Sequence, residues 1–352
     1  MHNRLPAPGS VPAGPDTTDA GFSLGEAMIA LVLTLIVVTG AIETLTRSVT
    51  LTGTSRVMSE TNHGLQAGMS LMVRDVMQTG QGIPLGGIPI PNGVGALPVF
   101  RPGPTGGMTF GTAEVLNALT PGDALGPTVA AQASDIVSVL YADQTLNISQ
   151  MTLNAIAADG STMTVNAATP VTGVGGLQAG DLILFTNALG SALQMVTSTP
   201  TTQTVLFGND ANDTMRINQR GAESGSIMNL QSSPGVFPPT TATRVLLITY
   251  YLDTVTDPTL PRLVRRINMG NTLAIALGAE DVQITYDLVD GVTNPTAVSM
   301  PPGGNSSSQI RKVNLTLAAR SKEVNPQTKQ YYRNQMSTQV GLRSLSFVDR
   351  YQ

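Results

Sequence analysis

The chain has 352 residues, 12% of them charged, and a formal net charge of −4; it is long enough for a sizeable core but has no basic footprint for nucleic acid. There is no cysteine, which excludes disulfides, thiol nucleophiles, lipoprotein anchors and thiolate metal sites. Trp is absent and aromatics make up only 4%, while Thr, Ser, Gly, Asn and Ala are abundant, the composition of an exported, β-rich protein. Residues 1–21 read as a polar, Pro/Gly-containing leader and are set aside from the fold. Residues 27–42 carry no charge. At about 1.5 Å per residue, residues 22–42 make about 30 Å of helix, enough to cross a hydrocarbon core. Glu26 stands at the mouth of this run. An ionised carboxylate there costs roughly 2.5 kcal/mol or more unless it is paired or reaches the interface, so a partner is expected. An ordinary signal peptide or signal anchor is the alternative. Its basic n-region is missing, because residues 1–20 offer only Arg4 and His2 against Asp16 and Asp19, and Gly40-Ala41-Ile42-Glu43 makes a poor cleavage site.

Gly21-Phe22-Ser23-Leu24-Gly25-Glu26 followed by an apolar helix resembles the prepilin peptidase site and N-methylation signal of type IV prepilins. The resemblance implies cleavage between Gly21 and Phe22, N-methylation of Phe22, and pairing of Glu26 with the new amine of a neighbouring subunit, which sets axial register. This leader is longer and less basic than is usual in that family. Arg47 and Arg56 lie beyond the span and give no charge bias toward a cytoplasmic N-terminus. The orientation, in a bacterial inner membrane with the head in the periplasm, therefore rests on the resemblance.

The helix signal continues as an amphipathic part over residues 43–79. Ile42, Leu45 and Val49, then Leu65, Met69, Met72 and Val76, recur at spacings of three and four, and Gly80-Gln81-Gly82-Ile83-Pro84 stops the helix. Residues 80–134 form a Gly/Pro-rich region. No regular element is expected over residues 80–111, read as a long loop lying over the head, with a low-complexity linker as the alternative.

The head spans residues 135–352. Strands are predicted over residues 135–141 and 180–185, with residues 192–197 and 204–207 pairing beside the latter as a meander. Residues 244–252 are long enough for a central strand, and residues 263–267 return after the turn at Asp257-Pro258. Residues 282–288 and 313–317 alternate apolar and polar, as half-buried strands do, and residues 336–345 close the sheet. No second helix of comparable length is predicted. The fold class is α+β: a long N-terminal helix, transmembrane in its first half, feeding an antiparallel β-rich head. The order of the pieces, including Val73-Arg74-Asp75-Val76, Tyr250-Tyr251, Leu263-Val264-Arg265-Arg266 and Val282-Gln283-Ile284-Thr285-Tyr286, resembles the PilW-type minor pilins and their J-type pseudopilin relatives.

Little in the chain suggests catalysis. The two histidines, His2 and His63, cannot build a zinc site without companions. Asn209-Asp210-Ala211-Asn212-Asp213 has oxygen ligands at a calcium-like spacing but lacks the Gly and distal Glu of an EF-hand loop. It is read as a polar turn, with a calcium ion near Asp210 as the open alternative. Arg265-Arg266 and Arg311-Lys312 are read as solvated charge pairs on strand edges. No enzyme activity, metal or cofactor is expected. The resemblance implies a minor pilin acting in pilus assembly, priming or a tip complex. Its expected partners are a prepilin peptidase, other minor pilins, the major pilin and the inner membrane. A J-type pseudopilin of a type II secretion system is the near alternative, and a pilus-tip adhesin the alternative of another class.

Overall fold

The computed structural model describes residues 21, 23–129, 131–143, 153–166, 171–172 and 176–345. The chain divides into two compact units, Met1–Gly53 and Thr54–Gln352. Helix α1 (Leu24–Gln78) runs through the end of the first and into the second, close to the bounds expected from the sequence. In the first unit every described residue from 23 to 49 is exposed. In the second, Val57, Thr61, Leu65, Gly68, Met69, Met72, Asp75 and Val76 are buried, a stripe at helical spacing. Gly68 permits the closest approach: a Cβ there would lie 3.2 Å from the Ala276 Cβ and 3.4 Å from Leu263 and Leu317. The helix stops at Gly80 and Gly82, whose φ angles are +80° and +69°, backbone that favours glycine. The Gly80 N–H turns away to donate to the Leu140 carbonyl at 2.9 Å.

Short strands follow where none were expected. They are β1 (Ile88–Pro89), β2 (Val115–Leu116), β3 (Leu119–Thr120), β4 (Thr128–Val129) and β5 (Gln132–Ala133), with β1 on β2 and β4 on β5. The region is woven into the head rather than laid over it: Ile83, Ile88, Ile90, Val99, Leu116 and Leu119 are buried in the main core. These apolar residues drop inward between Pro and Gly turns while Leu85, Val94, Leu97 and Leu125 stay exposed, so the segment contributes hydrophobic burial with little regular structure.

The head continues through β6 (Val137–Ala142), β7 (Leu153–Ile156), β8 (Thr162–Val165), β9 (Leu182–Asn187), β10 (Gly190–Met195) and β11 (Thr204–Leu206). It ends with β12 (Thr241–Asp253), β13 (Arg262–Ile267), β14 (Thr272–Leu277), β15 (Ala279–Leu288), β16 (Ile310–Val324) and β17 (Tyr331–Gly341). The largest sheet runs β10-β9-β12-β13-β14, with β6 on β12 and β3 on β6. Strand β12 is central, as its length suggests, pairing antiparallel with β9 through residues 241–245, β6 through 245–250 and β13 through 248–253. Two further sheets, β11-β8-β7 and β15-β16-β17, stand apart from it.

Two expected pairings are therefore corrected. Strand β11 joins β8, not β9, and β17 closes a separate sheet on β16 rather than the main one. The alternation of β9 shows why one sheet was too few. Leu182 and Leu184 face the main core, while Ile183 and Phe185 face a second core with Met163, Val165 and Val205. A strand buried on both faces separates two apolar layers, and the second layer needs its own sheet. Among the described residues the only later helical pieces are 3-10 turns, Ile227–Leu230 and Ser307–Gln309.

Candidate functional site

The start of α1 is built around Ser23 and Glu26. The Ser23 N–H donates to the Glu26 carboxylate at 3.0 Å, and the Glu26 N–H donates to the Ser23 hydroxyl at 3.2 Å. This is a capping box, which satisfies two of the amide donors that a helix leaves open at its start. A carboxylate in the first turn also lies favourably with the helix dipole, worth about 0.3–1 kcal/mol. Glu26 thus has a local partner as well as any it finds in another chain. Gly21 is exposed, and a Cβ there would meet nothing within 4 Å. Phe22 lies outside the described residues.

Beyond this cap the helix presents apolar side chains with no protein around them. Leu24, Leu31, Leu35 and Val37 are all largely exposed. The two hydroxyls within the uncharged run are satisfied internally: Thr34 donates to the Ala30 carbonyl and Thr39 to the Leu35 carbonyl, each at 2.7 Å. Such i−4 bonds leave no open donor to desolvate. Charge returns at Glu43, which pairs with Arg47 at 2.5 Å. The helix is long and apolar enough to cross a membrane, and no residue of its most apolar part is buried within the protein.

A second polar centre sits at the other end of α1 and was not foreseen. Asp75 is fully buried. Its carboxylate accepts from the Tyr250 hydroxyl at 2.6 Å, the Tyr141 hydroxyl at 3.3 Å and the Arg265 Nε at 2.6 Å. Burial and then the Asp75 charge push Tyr141 up to about 12 and Tyr250 higher still, so both phenols stay protonated donors. Burial opposes the Arg265 charge, but the hydrogen bond and charge of Asp75 outweigh it and raise its pKa. The Arg265 side chain is only 11% exposed, which corrects its reading as a solvated strand-edge charge. Arg311 is likewise buried and donates to the Ser308 carbonyl at 2.7 Å. The one hint in the sequence was a carboxylate standing next to Val76 in the apolar stripe.

The remaining candidates fall out as follows. His63 is exposed on α1, and His2 lies outside the described residues. Asp210 caps its own turn, accepting from the Asn212 N–H at 2.8 Å, and Asp213 accepts from the Asn218 N–H at 2.7 Å. Both carboxylates thus serve local backbone. Among the described residues no group of three or more His, Cys, Asp or Glu side chains converges. The first unit thus offers an exposed apolar helix with a carboxylate in its first turn, and the second a buried ion cluster that ties its part of α1 to the sheets. Compared with family models, curated proteins and solved structures, the chain matches none.

Proposed function

We propose that the chain is a minor subunit of the pilin type, which assembles through its N-terminal helix and does not catalyse a reaction. What carries this reading is the arrangement at the start of α1: Gly21, the capped Glu26, and then an uncharged, exposed stretch over residues 27–42 of a helix that runs on into a β-rich unit. In this account the precursor inserts in the bacterial inner membrane through residues 22–42 with the head in the periplasm. A prepilin peptidase cuts between Gly21 and Phe22 and methylates the Phe22 amine. That amine, on a neighbouring subunit, pairs with Glu26 in a medium where unpaired charge is costly, and the pair sets the register of the bundled helices. The head contacts other minor pilins and the major pilin in a complex that primes assembly or caps the tip.

The capping box supplies a clean test of the pairing step. Glu26→Gln keeps the side-chain acceptor, since Gln serves in a capping box as Glu does, but removes the charge. The variant is expected to insert and to be cut normally, yet to enter filaments roughly tenfold less than the native chain, the equivalent of about 1.4 kcal/mol of lost pairing. Cells producing each form would be sheared and the filaments quantified by immunoblot. Native-level incorporation of Glu26→Gln would show that Glu26 serves only as a helix cap.

A further inference from the structure

Arg101 is 5% exposed, yet among the described residues it forms no ion pair. One terminal nitrogen donates to the Pro121 carbonyl at 2.9 Å and the other to the Thr120 carbonyl at 3.0 Å. Its Nε is buried with no hydrogen-bond partner. Carbonyl dipoles do not neutralise a cation, and a buried charge ordinarily has a charged partner or bears a penalty. Burial brings Arg101 down from its ordinary value to about 10.

The same side chain lines a cavity of about 540 Å³ between the residue 109–125 segment and the loop that carries Met300. The volume falls within the range of small-molecule sites. Phe110, Val115, Leu125 and Met300 supply apolar wall, with Asn117 and Thr120 as polar groups. The Phe110 ring centroid lies 5.9 Å from the Arg101 guanidinium carbon. Leu125 is 49% exposed and Met300 46% exposed, so the rim is greasy and open. The lining's one carboxylate, Asp123, is exposed and accepts from the Ser299 hydroxyl at 3.0 Å.

We propose that this cavity binds a small organic carboxylate, its anionic group meeting Arg101 and its apolar body lying against Phe110, Leu125 and Met300. A guanidinium has five N–H donors, and the two carbonyls use two of them. A carboxylate adds charge-assisted hydrogen bonds that no carbonyl can match. The apolar walls favour a ligand with a hydrocarbon or aromatic body over a bare inorganic anion. This inference is independent of the reading of the N-terminal helix.

The probe is benzoate, with benzamide as its uncharged counterpart, titrated calorimetrically into the full chain in neutral detergent micelles with empty micelles subtracted. Benzoate is expected to bind saturably at one site, at least tenfold more tightly than benzamide. Arg101→Gln is expected to weaken benzoate at least tenfold. Leu125→Glu changes only an exposed rim residue and adds a repelling charge, and it is expected to weaken benzoate as well. Leu125→Glu decides the matter should Arg101→Gln fail to fold. The proposal is overturned by equal binding of benzamide, by absence of saturable benzoate binding at millimolar concentration, or by undiminished binding in Leu125→Glu.

Discussion

Asp75 has the most to lose from a single change. Truncating it leaves the Arg265 charge buried without a partner, and breaking a buried pair in this way costs about 3–5 kcal/mol. Asp75→Ala should therefore destabilise the head by that amount. Tyr250→Phe removes only one hydrogen bond, to a charged acceptor, and should cost about 1.5–3 kcal/mol. Urea denaturation of the full chain in detergent separates the two; equal losses would mean that the Arg265 charge finds another partner. Asp253 answers to pH instead. Burial pushes it up, but hydrogen bonds from Thr256 and Arg262 outweigh that and bring it to about 2, below the ordinary carboxylate value of about 3.9. Its contribution is therefore complete above about pH 4 and is lost as pH falls toward about 2. Burial raises Asp135, Asp181 and Asp213, so these three act in the opposite sense and favour the folded state as they take up protons. The gap in urea midpoint between the native chain and Asp253→Asn should narrow as pH drops from about 5 to about 2.5, and a constant gap would contradict the assignment.

At the scale of elements, the sequence was most legible where one periodicity ran long. The stripe Leu65, Met69, Met72 and Val76 is buried as its spacing implied, and β12, β13, β15 and β16 occupy the stretches that alternation or β-branched runs marked. Strands β7 and β8 were missed, because Leu153–Ile156 and Thr162–Val165 are four residues each and give alternation little room to show. Strand β14 was missed because Thr272–Leu277 buries one face only partly, leaving Leu273 and Leu277 exposed. The Asp75 cluster was illegible for a different reason. The neighbouring Arg74 places Nε 3.7 Å from the Asp75 carboxylate, but the carboxylate's hydrogen-bond partners lie 66, 175 and 190 positions along the chain. The Arg101 cavity is built from loop residues and two-residue strands that no period relates. Gly68 tests how tightly the helix element is seated. Gly68→Leu must push α1 away from Ala276, Leu263 and Leu317, and overpacking of this kind costs about 1–3 kcal/mol. An unchanged denaturation midpoint would show that the helix and sheets have slack the packing does not suggest.

For the whole molecule, the hydrophobic cores among the described residues lie within the second unit, because their buried residues begin at Leu65. A chain beginning at Thr54 should therefore be soluble without detergent and unfold cooperatively, which circular dichroism on heating would show. Aggregation or a broad, non-cooperative melt would mean that the exposed first part of α1 supports the head. The account as a whole turns on that first part being an assembly device exposed by a specific cut. Mass spectrometry of the mature N-terminus from cell envelopes tests this most directly. A chain beginning at N-methylated Phe22 is the expected result. A chain beginning at Met1, or beyond Ile42, would contradict it, because Glu26 would then have no processed amine to pair with and the protein would be a membrane-anchored or exported β-rich domain of another kind.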